Sequence, residues 1–171
     1  MKAIVQDGDP VLREIAKPVP EEMFSTIELA QILKDMEDAL DREPDGVAIA
    51  APQIGVSYRI FLVRHDRMVM TPDGKPLPPD TGVFINPEIV STSRRREEMP
   101  EGCLSVRGVY GTTYRHEKAT VRARRYEGEV VVRGAGGILA QAFQHEIDHL
   151  DGMLFIDHAV DLHHQTPPTN A

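Results

Sequence analysis

Apolar residues in the first part of the chain recur at helical spacing: Leu29, Ile32, Leu33, Met36 and Leu40 fall on one face. Ser25, followed three residues later by Glu28, reads as a capping box that opens this helix, and Pro44 predicts its end near Arg42. The period then changes. GVAIAA (46–51) and RIFLV (59–63) are short apolar runs of strand type. Residues 66–82 hold four prolines and two glycines and read as a loop. VFINPEIV (83–90) is a strand in which Pro87 predicts an edge or a bulge. ATVRARRYEGEVVVRG (119–134) reads as a hairpin turning at Glu127-Gly128. A second helix is expected over roughly 137–150, with Leu139, Phe143, Ile147 and Leu150 as its core face and Gly152 as terminator. Strands cluster in the middle of the chain and helices lie towards its ends. That order predicts an α+β fold with antiparallel pairing rather than alternating βαβ units. No repeat or long linker divides the chain, so one domain is expected over 1–164, followed by a polar tail, QTPPTNA (165–171), that frays.

Composition narrows the class. A chain of 171 residues with 41% hydrophobic content can bury a core of its own. The net charge of -8 argues against a nucleic-acid groove or an anionic membrane as the main partner, with a local basic patch around Arg122–Arg125 left open. A single cysteine forms no intrachain disulfide, which fits a reducing cytoplasm. Charge returns too early in MKAIVQDGDP for a signal-peptide apolar stretch, and no apolar run is long enough to span a bilayer. A soluble, cytoplasmic protein is expected.

The strongest chemical signal is HEIDH (145–149), inside the second helix. Residues i and i+4 share a helical face, so His145 and His149 can reach one ion. Glu146 is placed to touch a water at that ion without being a ligand, and so to take up and return its proton. A pair of surface histidines on a solvated helix would carry the same letters. A catalytic metal site needs a third protein ligand and an open position. Cys103, in EGCLS (101–105), offers a thiolate suited to a borderline divalent ion, although a lone cysteine also serves as a small buried hydrophobe. Gln53, at the end of GVAIAAPQ (46–53), is either a solvated turn residue or an amide donor to a developing oxyanion.

Taken together, GVAIAAPQ, EGCLS and QHEIDHLDG (144–152) resemble, in order and spacing, the three motifs of the peptide deformylases. The resemblance runs from the first helix to about Asp157. It implies a compact α+β fold of antiparallel sheets around a central HExxH helix, and removal of the formyl group from N-formylmethionyl nascent chains. By position it implies Cys103, His145 and His149 as metal ligands and Glu146 as general acid/base. It implies Gln53 and the backbone N–H of Leu104 as the groups that polarise the formyl oxygen. Gly46, Val47 and Ala48 would lie beside the substrate backbone like an added strand. The resemblance further implies one divalent metal ion, Fe(II) in the cell with Zn, Ni or Co able to substitute, a monomer, and a transient ribosome contact. No direct nucleic-acid specificity is expected, and no membrane partner. Two positions depart from the family pattern: Ala48 stands where a second glycine is usual, and Tyr110 where many bacterial members carry arginine. Both would touch the substrate channel.

Two other readings share the HExxH motif. A zincin-type endopeptidase would draw its third ligand from beyond the helix, where His158, His163 and His164 follow in what reads as tail. A homologue kept as a binding protein would share the motifs without turnover.

Overall fold

The computed structural model describes residues 2–165. Two α-helices and eight strands make an α+β fold. Helix α1 spans Ile27–Asp41 and helix α2 spans Gly137–Leu150. Strands β1 (Ala48–Ala50), β2 (Ile60–Arg64), β3 (Thr81–Thr92), β6 (Lys118–Arg124) and β7 (Val130–Gly136) form an antiparallel sheet in the order β1-β2-β3-β6-β7. Strands β4 (Arg96–Cys103), β5 (Val106–His116) and β8 (Val160–His164) form a second antiparallel sheet in the order β4-β5-β8.

The two helices explain why β1 and β2 are apolar up to the terminal Arg64. Along β1 and β2, Ala48, Ala50, Phe61 and Val63 face α2, where they join Phe84, Phe143, Ile147 and Leu150 in one core. The intervening Ile49, Ile60 and Leu62 face α1, with Leu29, Met36, Ala39 and Leu40. A strand buried on both faces has no polar side to show, so its side chains alternate in direction without alternating in polarity. Phe61 stacks on Phe84 at 4.7 Å between centroids, and Phe143 of α2 meets Phe84 edge-on at 5.1 Å. This aromatic contact seats α2 on the larger sheet. The other side of α2 meets β5, so the helix lies between the sheets.

Several expectations need correction. The first helix is capped by Thr26, whose hydroxyl accepts from Leu29 N–H at 3.2 Å, and not by Ser25, which sits at φ 61° outside the helix. Of the two alternatives for Pro87, the bulge holds and the edge does not: β3 is internal and accommodates the proline with a register shift between Ile85 and Glu88. The adjacent Asn86, at φ 50°, uses its side chain to bond both the N–H and the C=O of Val19. His163 and His164, expected in a tail, instead lie on β8, which pairs with the edge of β5. The expected frayed tail at 165–171 lies outside the described residues apart from Gln165, whose N–H donates to Gly108 O at 2.9 Å. The arginines at 122–125 make no free basic patch: Arg122 pairs with Glu88, Arg124 with Glu21 and Arg125 with Glu129. Among the described residues, no helix is long and apolar enough to cross a membrane.

Candidate metal centre

Three separate elements deliver the expected site residues to one place. Helix α2 brings His145, Glu146 and His149. It starts directly from β7 through Gly137, whose φ of 56° makes the abrupt change from strand to helix that a side chain would oppose. Cys103 closes β4, and Leu104-Ser105 form the two-residue turn into β5, with Cys103 paired to Val106. The backbone at Gly102 passes under Tyr110 so closely that a Cβ there would lie 2.8 Å from the ring. Gln53 comes from the 3-10 turn Ala51–Ile54 that follows β1.

The ligand-type atoms of Cys103, His145 and His149 all lie within 4.8 Å of one another, the one such trio among the described residues. Cys103 Sγ stands 3.2 Å from His149 Nε2. Donors placed tetrahedrally about 2.0–2.3 Å from an ion are roughly 3.5 Å apart, so the trio suits a zinc-like or ferrous ion and leaves a position open. His145 Nδ1 donates to Glu101 Oε1 at 2.6 Å, which leaves Nε2 for an ion. Glu101 is in turn gripped by Arg115, with Nε to Oε2 at 3.0 Å and Nη2 to Oε1 at 2.6 Å, and accepts from the Thr113 hydroxyl at 2.6 Å. Arg115 also holds Asp148 of α2 at 2.6 Å.

Electrostatics favour a cation here. Burial pushes the His145 imidazole down, yet the Cys103 thiol and the Glu101 and Glu146 carboxylates raise it well above its ordinary value. The same acidic surroundings would attract a metal ion. Burial, with His145 beside it, holds His149 well below its ordinary value and hence neutral, the form that binds metal. Burial opposes ionisation of Glu101, but hydrogen bonds from His145 and Arg115 outweigh it and hold this carboxyl well below the usual range. Burial pushes Glu146 up to about 7. Glu146 Oε2 and His149 Nδ1 are the buried side-chain polar atoms without a hydrogen-bond partner among the described residues. A buried atom left so costs about 1–3 kcal/mol, and both fall in this one cluster.

Gln53 is not a solvated turn residue. It is 1% exposed, its Oε1 accepts from Ala50 N–H at 2.8 Å, and its Nε2 donates to Ser105 Oγ at 3.1 Å. These bonds settle which way the amide points: Nε2 lies towards Cys103 Sγ, at 3.7 Å. A cavity of about 630 Å³ opens in front of Cys103 and His145, and Gly46, Val47, Ala48, Leu104, Tyr110 and Glu146 are among its other walls. Among the described residues β1 is the outermost strand of its sheet, and its first residue, Ala48, lines the cavity next to Gly46 and Val47. Ala48 has the extended backbone expected of a strand and contributes both to the core and to the cavity wall. None of His158, His163 and His164 joins the trio; His158 instead approaches Asp148 at 3.4 Å.

Glu101, Ser105, Arg115 and Asp148 were not identified from the sequence. The available signal was Glu101 itself, two residues before Cys103 and so on the same side of a strand, an acidic residue that burial would force to find a partner.

Comparison with known proteins agrees along nearly the whole chain. Residues 1–165 match the family model described as polypeptide deformylase. A peptide deformylase of Carboxydothermus hydrogenoformans is 42% identical over 156 residues, 91% of each chain. One from Halothermothrix orenii is 45% identical over 153 residues, 90% of each. Among solved structures, the Met-Ala-Ser-bound class I type b peptide deformylase of Acinetobacter baumannii superposes with a TM-score of 0.81 at 33% identity, covering 92% of this chain and 99% of that one. The actinonin-bound form of that protein gives 0.81 at 32% identity, covering 93% and 98%.

Proposed function

The chain belongs to the polypeptide deformylase family, and on that premise we propose that it removes the formyl group from N-formylmethionyl nascent chains as a metal-dependent hydrolase, releasing formate. Cys103, His145 and His149 would hold one divalent ion, Fe(II) in the cell with Zn, Ni or Co able to replace it. The observation that carries this reading is the convergence of one sulfur and two imidazoles beside an unpartnered, buried glutamate at the head of a cavity.

When bound, the ion supplies Lewis acidity that activates water and polarises the formyl carbonyl. The chain's own groups do the rest. Gln53 Nε2 and the Leu104 N–H donate to the formyl oxygen as negative charge develops there. Glu146 takes the proton from the attacking water and delivers it to the methionyl nitrogen as the C–N bond breaks; a carboxyl near 7 suits both transfers. Gly46, Val47 and Ala48 receive the peptide backbone along the open edge of β1. A Met-Ala-Ser peptide bound to the Acinetobacter protein supports a peptide in such a channel. A cytoplasmic monomer with transient contact to the ribosome fits this role. So does the division into a catalytic domain over 1–164 and a short tail.

The deciding experiment is anaerobic purification, metal analysis, and turnover of formyl-Met-Ala-Ser against an acetyl-Met-Ala-Ser control. Formate release specific to the formyl peptide, with one equivalent of metal per chain, is expected. Metal without turnover would support a binding protein instead. Cleavage of internal peptide bonds would support an endopeptidase.

A further inference from the structure

Residues 4–7 have no regular secondary structure, yet they cross between two of the three elements that build the site. Val5 N–H donates to Gln53 O at 2.9 Å and Asp7 N–H donates to Ser105 O at 2.7 Å. Between them, Gln6 Nε2 donates to Leu104 O at 3.0 Å. The apolar side chains divide the same way. Ile4 packs with the cluster that includes Ile54 and Leu104, and Val5 with the one that includes Cys103, Val106 and Phe155.

The bonded groups matter because of what lies on the other side of each peptide plane. Leu104 O belongs to the peptide whose N–H, that of Ser105, faces Cys103 Sγ at 3.4 Å. Ser105 also carries the hydroxyl that accepts from Gln53 Nε2. A two-residue turn has few internal bonds with which to resist rotation of these planes. Bonds from outside to two successive carbonyls, Leu104 O and Ser105 O, restrict that rotation directly. The third bond ties the same segment to the main chain of Gln53 itself.

We infer that residues 5–7 are a brace that sets the spacing between Gln53 and the Cys103–Ser105 turn, and that Gln6 is its positioning residue. This rests on the reading above, in which Gln53 and Leu104 N–H both serve the formyl oxygen. Two donors that must meet one oxygen are sensitive to their separation, and a displacement of about 1 Å can cost on the order of 100-fold in rate. Gln6 touches neither substrate nor metal; its effect passes through the Leu104–Ser105 peptide.

Gln6→Glu tests this, since the carboxylate keeps the shape but cannot donate to Leu104 O. The expected result is a fall in kcat of about tenfold on formyl-Met-Ala-Ser, with KM within about twofold, metal content unchanged and a nearly unchanged unfolding midpoint. Gln6→Lys, which restores a donor, should recover most of the loss. An unchanged kcat in Gln6→Glu, or a loss that follows lowered stability and is not restored by Gln6→Lys, overturns the inference. Amide exchange followed by NMR reads the brace without turnover: Val5 and Asp7 should be protected in the wild type and exchange faster in Gln6→Glu. Unprotected amides in the wild type would overturn the brace. Absence of formate release by the wild type would instead defeat the functional reading, and the exchange pattern would then decide the brace alone.

Discussion

Glu101 accepts the Nδ1 proton of His145 at 2.6 Å while Arg115 grips both of its oxygens. The carboxylate thus sets the imidazole's tautomer and its angle, and Arg115 sets the carboxylate. Partners of this kind are typically worth 10- to 100-fold in metal affinity. Glu101→Gln should therefore lower affinity by about that factor, read as faster metal loss to a chelator. Unchanged metal retention would mean that helix α2 alone orients His145.

Glu146 lies in the cavity wall with one carboxylate oxygen unpartnered, and it is not one of the converging trio. Glu146→Gln should keep its metal and lose most turnover. Loss of metal in step with activity would make Glu146 a ligand or a structural group, contrary to the mechanism above.

Gln53→Ala removes a donor aimed past Cys103 and also the acceptor for Ala50 N–H. Two separate losses follow. The rate loss should be about 100- to 1000-fold, roughly 2.7–4 kcal/mol, and should fall on kcat more than on KM. The buried Ala50 N–H left without its acceptor should lower stability by about 1–3 kcal/mol in a urea melt. A variant that is less stable yet within about threefold of wild-type kcat would leave Gln53 with the structural role only.

Ala48 presents its methyl at the boundary between core and cavity, in an extended strand. Ala48→Gly should widen the channel and lower KM for formyl-Met peptides a few-fold, with metal content unchanged. It should also cost about 0.5–1 kcal/mol of stability through backbone entropy. Destabilisation with no change in KM would show that the methyl serves the core alone.

Asp66 is held down to about 2 by its hydrogen bonds from Arg64, both at 2.9 Å, aided by the Asp80 N–H. Its folded value lies below its unfolded value of about 3.9, so the ionised form favours the folded state. That contribution is fully present above about pH 4 and disappears as pH falls through about 2. Asp66→Asn should be less stable than the wild type by about 1–2 kcal/mol near pH 6, with the gap narrowing below pH 4. A gap that stays constant down to pH 3 would assign the loss to geometry rather than charge.

How much of this was legible varies with the physics of each segment. Helix α2 could be read to its boundaries because its apolar row has the 3.6-residue period and Gly152 follows it. Ligand chemistry restricts residue types enough to single out Cys103, His145 and His149 as candidates; the resemblance to known motifs grouped them, and their ligand-type atoms lie within 4.8 Å of one another. Strands β4 and β8 could not be read. Along β4, half of REEMPEGC is charged, and its one buried position is Glu101, satisfied by an arginine fourteen residues away. All of β8 is exposed, and backbone pairing with β5 is what makes it a strand. Side-chain polarity carries no record of such pairing. Thr26 displaced Ser25 as cap because the chain turns through positive φ at Ser25, one residue before the cap, a tertiary constraint set partly by the bond from Ser25 N–H to Tyr126 O.

The three elements that meet at the trio are far apart along the chain: Gln53 bonds a residue 52 positions on, and Cys103 meets a histidine 46 positions on. Chains emerge from synthesis in order and contacts of long separation close late. A growing copy of this chain would expose Gln53 and then Cys103 with no imidazole pair to join them. The metal pocket could close only when the last quarter of the sequence is free to fold. Catalytic competence would therefore arrive as one late event, and a copy released prematurely, before α2, would carry a lone thiol rather than a partly working enzyme.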